Sequence, residues 1–295
     1  MQKQQQRIQQ IQLSNHSKIE VGLTGDAGRP VLMLPVAKRS SCGQEAETLK
    51  RWGVDPELGK HLVEGLAGTC QVLHFDYEGH LFEHPVPRLT VDHIVHDFLH
   101  IADKMNIGRF SYYGYSWLAL AGLQLAIRTD RLDSLVMGGF PPYGGPYAEM
   151  LAVTRHTHRQ ATANQQEQSE SAVQPTSAET PDEIDWDTIK VTINPQVTQQ
   201  FVTLYESLEG FDDRSVQSQL TVPRLAFAGE KDTIAYGKAF GHVTVDIAGQ
   251  LRKHAERLRQ FGWDVELLAG NGMDHTQAMQ PPVVLPLIKS WLASR

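Results

Sequence analysis

Cysteine is scarce: Cys42 and Cys70 are the only two in 295 residues. Their spacing suits no metal, which argues against a zinc site and against a disulfide framework. Long apolar runs are missing as well. None approaches the roughly 20 residues of a membrane span, and the glutamine-rich start, Met1 to Gln12, has no apolar segment of the secretory kind. Nor is there a cluster of Lys and Arg. The net charge of −7 is spread along the chain, so nucleic acid is not an expected partner. There are no internal repeats. These absences point to a soluble, cytoplasmic protein whose partner is a small-molecule substrate, with no membrane partner and an oligomeric state left open. The apolar share of 41% is ordinary for a globular protein, and the length suits one large α/β domain with an insertion.

Alternation of apolar residues predicts an antiparallel hairpin, with Ile8, Ile11 and Leu13 on one arm and Ile19, Val21 and Leu23 on the other. Val31 to Leu34 is a short continuous apolar run, expected of a strand buried on both faces. A helical region from Leu49 to Leu66 follows, then a strand from Cys70 to Phe75 and a turn at Asp76 to His80. Thr90 is placed to cap a helix running to Asn106, whose apolar face includes Ile94, Phe98 and Ile101. Leu132 to Met137 is another strand, after which the Gly- and Pro-rich stretch 138–146 leads the chain out of the sheet. Helical patches at Ala148 to Arg159 and Pro195 to Glu209 flank an almost wholly polar segment, Gln160 to Ile184, read as a mobile loop. The core resumes with a strand at Val222 to Gly229, a helix at Val245 to Phe261, a strand at Trp263 to Leu268 and a closing helix at Val283 to Leu292. Strand alternating with helix predicts βαβ crossovers and a mostly parallel sheet flanked by helices. The domains are accordingly a polar tail with the first strand (1–17), a core in two parts (18–142 and 218–295) and an inserted helical cap (143–217).

The chain is organised around Arg109 to Gly122, where an aromatic strand reaches Gly114-Tyr115-Ser116 and continues as a helix. A tight strand-to-helix turn lifts a serine Oγ clear of the sheet, and the N–H groups opening the helix point at any anion formed there. An ordinary junction whose serine caps a helix is the plainer alternative. Asp232 and His275 fall at the carboxyl ends of later core strands, where the ligand crevice of an open parallel sheet forms. Serine hydrolysis needs an imidazole to take the proton and a carboxylate to orient it, and the order Ser, acid, His fits the chain.

At these residues the sequence resembles the α/β-hydrolase family, over about residues 18–142 and 218–295. The resemblance is carried by Gly114-Tyr115-Ser116, by Gly229-Glu230-Lys231-Asp232, by Asp274-His275 and by Phe75-Asp76-Tyr77-Glu78-Gly79-His80. It implies Ser116 as nucleophile, His275 as general base then acid, and Asp232 as its orienting carboxylate. An oxyanion hole would take the backbone N–H of Trp117 and one from the loop after Leu34. Pro35 has no N–H, so Ala37 is the first choice and Val36 the second. The implied activity is cleavage of a small carboxylic ester, thioester or lactone, with no cofactor and no metal. Leu118, Leu81 and Val36 stand where the family has glycine. They leave open a non-catalytic binding protein on the same fold, besides a C–C bond hydrolase or a cofactor-free oxidoreductase.

Other residues compete for these roles. Glu230 rivals Asp232 as the acid, while Asp274 is expected to be a loop acceptor. His93, His96 and His100 share a helix face, a spacing that suits a metal in principle, but that helix should pack on the sheet flank away from the crevice and no nearby Cys completes a site; His156 and His158 are expected to face solvent. Val36, Tyr115, Phe140 and Tyr143 are candidates to line an apolar pocket beside Trp117; packing of cap on core is an equal reading of the aromatics.

Overall fold

The computed structural model describes residues 6–170 and 191–295. The expected hairpin forms from β1 (Gln6–Gln12) and β2 (Lys18–Thr24), paired antiparallel from Gln6 opposite Thr24 to Gln12 opposite Lys18. β3 (Val31–Leu34) follows. The single helical region expected next is two helices, α1 (Gly43–Arg51) and α2 (Leu58–Leu66), because Gly53 at φ 71° and Pro56 interrupt it. After β4 (Gln71–Phe75) the expected turn is instead a short helix, α3 (Tyr77–Glu83). The Asp76 carboxylate caps it by accepting from the Gly79 N–H at 2.9 Å.

α4 (Val91–Lys104) is capped by Thr90 as expected, its Oγ1 accepting from the His93 N–H. β5 (Phe110–Tyr115), α5 (Trp117–Ala126) and β6 (Leu132–Gly138) come next. α6 (Tyr147–Glu170) and α7 (Pro195–Glu206) lie between β6 and β7. α6 overruns the expected start of the polar loop by eleven residues, 160–170: its Thr, Gln and Ala residues propagate a helix already nucleated against the core. The remainder of that expected loop, 171–184, lies outside the described residues. β7 (Arg224–Gly229), a small hairpin of β8 (Thr233–Ala235) and β9 (Thr244–Asp246), α8 (Ile247–Gln260), β10 (Trp263–Leu268) and α9 (Pro281–Ala293) complete the chain. The sequence reading missed the β8–β9 hairpin; its strands are three residues each, too short for alternation to register.

Eight strands form one sheet in the order β1-β2-β4-β3-β5-β6-β7-β10. Pairs from β4 through β10 are parallel, and β1–β2 and β2–β4 are antiparallel. Alternate side chains pack on opposite faces. Leu32, Val72, Tyr113 and Val136 meet Leu62 and Leu66 of α2 and Val284 and Ile288 of α9. Met33, Leu73, Tyr112 and Leu135 face the other side, with Phe98 of α4, Leu123 of α5 and Leu251 of α8. Burial on both faces is why the central strands read as continuous apolar runs. It also leaves the carboxyl ends of β3, β5, β7 and β10 as the place where loops converge.

Candidate active site

Ser116 sits at φ 56°, ψ −131° between β5 and α5, a conformation costing a non-glycine residue about 1–3 kcal/mol. Its N–H donates to the Gly138 carbonyl at 2.8 Å, and its carbonyl accepts from Ala119 at 2.9 Å. These bonds hold the strained turn in place. Its side chain does not cap the helix, so the plainer reading of the junction fails. Gly114 makes the turn possible: a Cβ there would lie 2.3 Å from the Leu118 carbonyl oxygen.

Asp232 is fully buried, with 0% exposure, and His275 Nδ1 lies 3.0 Å from each of its carboxylate oxygens. Burial raises the Asp232 carboxyl above its ordinary range, and the His275 hydrogen bond opposes that rise. The loop bearing His275 is tied to the end of β7, because Lys231 N–H donates to Met273 O at 3.0 Å. Tyr115 Oη donates to the His275 carbonyl at 2.7 Å, and the two rings are 5.0 Å apart. Gly139, at φ 63°, leaves space for both: a Cβ there would be 2.7 Å from the tyrosine ring and 2.9 Å from His275 Cε1. The imidazole therefore stands beside the strand end that carries Ser116. Among the described residues Ser116 Oγ makes no hydrogen bond, to His275 or to any other group.

Two backbone donors are free at the same end of the sheet. Trp117 N–H opens α5 and Ala37 N–H lies in the loop after β3; neither meets an acceptor among the described residues. Val36 N–H donates to Leu34 O at 2.8 Å, which removes the second-choice donor.

The rival residues have other employment. Glu230 Oε1 accepts from Gly270 N–H at 3.1 Å, and Asp274 is the expected loop acceptor, taking a bond from Gln277 N–H at 2.8 Å. His100 reaches the Gln12 carbonyl at 3.0 Å on the sheet flank. His158 is not solvent-facing as expected: its Nδ1 lies 3.0 Å from Thr198 Oγ1, where α6 meets α7. His156 is likewise half-buried, beside Gly241.

The expected pocket residues divide. Val36 packs with the α2 cluster, and Tyr115 lies behind His275. Phe140 is 4% exposed against Tyr147, and Tyr143 packs on His254 and Phe261 of α8. Those last two serve packing, because the bend after β6 turns them toward α6 and α8. The sequence reading missed Glu78, Phe82 and Phe201. Glu78 Oε1 accepts from Trp117 Nε1 at 2.7 Å, Trp117 meets Phe201 edge-on at 5.5 Å, and Phe82 and Phe201 are 6.1 Å apart. No periodicity could have found a group drawn from α3, α5 and α7. A cavity of about 560 Å³ opens beside Arg109, Arg128 and Leu220. It lies at the opposite end of β5 from Ser116 and has no part in this chemistry.

No family model matches the sequence, and no curated protein does either. Solved structures do match in three dimensions. A hydrolase from Pseudomonas aeruginosa PA01 has a TM-score of 0.60 at 18% identity, covering 97% of this chain and 98% of that one. An enol-lactonase from Burkholderia xenovorans LB400 gives 0.57 at 17%, covering 97% and 100%. A haloalkane dehalogenase from Bradyrhizobium elkanii gives 0.60 at 12%, covering 98% and 97%. At such identities the likeness is one of fold, which the lactonase and the dehalogenase share while acting on different bonds.

Proposed function

We propose that this chain, whose fold is that of the α/β hydrolases, is a serine hydrolase that cleaves a small carboxylic ester, thioester or lactone through an acyl-enzyme. The observation that carries the reading is the pairing of His275 Nδ1 with both oxygens of buried Asp232, beside a serine held at positive φ. In this reading Ser116 Oγ attacks the carbonyl carbon while His275 Nε2 takes its proton. Asp232 keeps the Nδ1–H tautomer and stabilises the imidazolium. Trp117 and Ala37 N–H groups receive the negative charge on the carbonyl oxygen, each worth about 3 kcal/mol in the transition state. His275 then protonates the leaving oxygen or sulfur, and a water activated by the same imidazole releases the acid. The first step needs Ser116 Oγ to turn toward Nε2, as substrate binding commonly brings about in such sites. α6 and α7 act as the cap over the strand ends, with Phe201 of α7 against Trp117. The two free thiols agree with a reducing, cytoplasmic setting.

Ser116→Ala is expected to abolish both ester turnover and labelling by a fluorophosphonate probe, as read by mass spectrometry of the labelled peptide. Labelling that persists removes Ser116 from the role. A second reading, a non-catalytic binding protein, is favoured by the open Ser116–His275 pair. Failure of the wild type to label or to hydrolyse short p-nitrophenyl esters would decide for it.

A further inference from the structure

Glu78 lies at the start of α3 with part of its surface in solvent, one tryptophan side chain away from the nucleophile's backbone; desolvation raises its carboxyl above the ordinary range, and the Trp117 hydrogen bond opposes that rise. Its Oε1 takes the Trp117 indole N–H; its Oε2 accepts no hydrogen bond, and no Lys or Arg pairs with it, among the described residues. Rings surround it. Trp117 and Phe201 are half-buried, Phe82 is 42% exposed, and Tyr77 lies behind Trp117 at 6.4 Å. Hydrogen bonding of Trp117 to Glu78 fixes the indole, so its face is presented in one orientation. An unpaired carboxylate among open aromatic faces is the chemistry that recognises an alkylammonium group: the carboxylate supplies charge, and the rings supply cation–π attraction without a tightly held water shell. A neutral or anionic group would gain only the apolar contact, or would be repelled. The net charge of −7 favours the approach of a cation further.

Resting on the hydrolase reading above, we propose that Glu78, Trp117, Phe82 and Phe201 form a substrate subsite for an ammonium group, so that the preferred substrates are esters bearing a positive charge. Acetylcholine and 3,3-dimethylbutyl acetate differ only in nitrogen against carbon and isolate that charge. The wild type is expected to show a kcat/KM about tenfold higher for the charged ester. Glu78→Gln keeps an acceptor for the indole and removes the charge, and should lower this preference ratio about tenfold. A ratio near one in the wild type, or one that the substitution leaves unchanged, overturns the proposal. Calorimetric titration with tetramethylammonium chloride at constant ionic strength needs no turnover. Saturable binding to Ser116→Ala that weakens about tenfold when Glu78→Gln is added is expected, and absence of saturable binding overturns the subsite. Fluorophosphonate labelling of Ser116 reports separately on the hydrolase reading, so the two failures are distinguishable.

Discussion

Leu118 stands where similar elbows carry glycine, yet the turn at Ser116 keeps its positive φ. The close approach falls on the other partner: Gly114 offers the bare backbone, and the Leu118 side chain goes into the core beneath α5. Tyr112 Oη secures the arrangement by donating to the Leu118 carbonyl at 2.7 Å. A missing motif glycine is thus no sign of a relaxed elbow when a second glycine already faces the same contact. His74 shows what burial does to a single titratable residue. It is 6% exposed, with its Nε2 3.1 Å from Thr24 Oγ1, and burial, helped by Lys38, lowers its pKa from 6.5 to about 4. Between those values the unfolded chain binds a proton that the native one does not, so stability falls as pH drops from 6.5 towards 4. Urea unfolding at pH 7.0 and 4.5 should therefore show an acid loss about 2 kcal/mol smaller in His74→Asn than in the wild type.

At the level of elements, α7 is strapped to the core by its polar side chains. Gln200, fully buried, donates to the Leu81 carbonyl at 2.8 Å and accepts from Val86 N–H at 3.1 Å. Thr203 Oγ1 accepts from Leu89 N–H at 2.9 Å. Through these bonds α7 satisfies a segment, 81–91, that has no sheet or helix partners for its backbone over much of its length. They also hold Phe201 against Trp117. Gln200→Ala should leave two backbone groups unsatisfied and cost about 3 kcal/mol, measured by thermal unfolding. Hydrogen exchange at the Val86 amide should speed up in the same variant. If the amide exchanges as in the wild type, the strap is not what holds α7.

Across the whole molecule, the two thiols report on different parts of the fold. Cys42 is exposed and Cys70 buried, and burial pushes the Cys70 thiol up to about 12. A thiol reagent such as Ellman's at pH 8 should modify one cysteine at once and the second only as fast as the molecule opens. Rapid modification of both would show that the α2 flank of the sheet opens locally. Among the described residues no helix is long and apolar enough to cross a membrane.

The order of the main strands and helices, the apolar faces of α4 and the central strands, and the position of Ser116, Asp232 and His275 after strand ends were legible in the sequence. Each depends on near neighbours in the chain: alternation, capping and turn chemistry act over a few residues. What the tertiary structure alone decided was which groups meet. It joined His275 Nδ1 to Asp232 across 43 residues, set Glu78 on Trp117 across 39, and turned Phe140 and Tyr143 away into packing. It also consumed the Val36 N–H in a tight turn and left that of Ala37 free. Such pairings follow from strand order and from how helices seat on the sheet, and no local pattern carries that information.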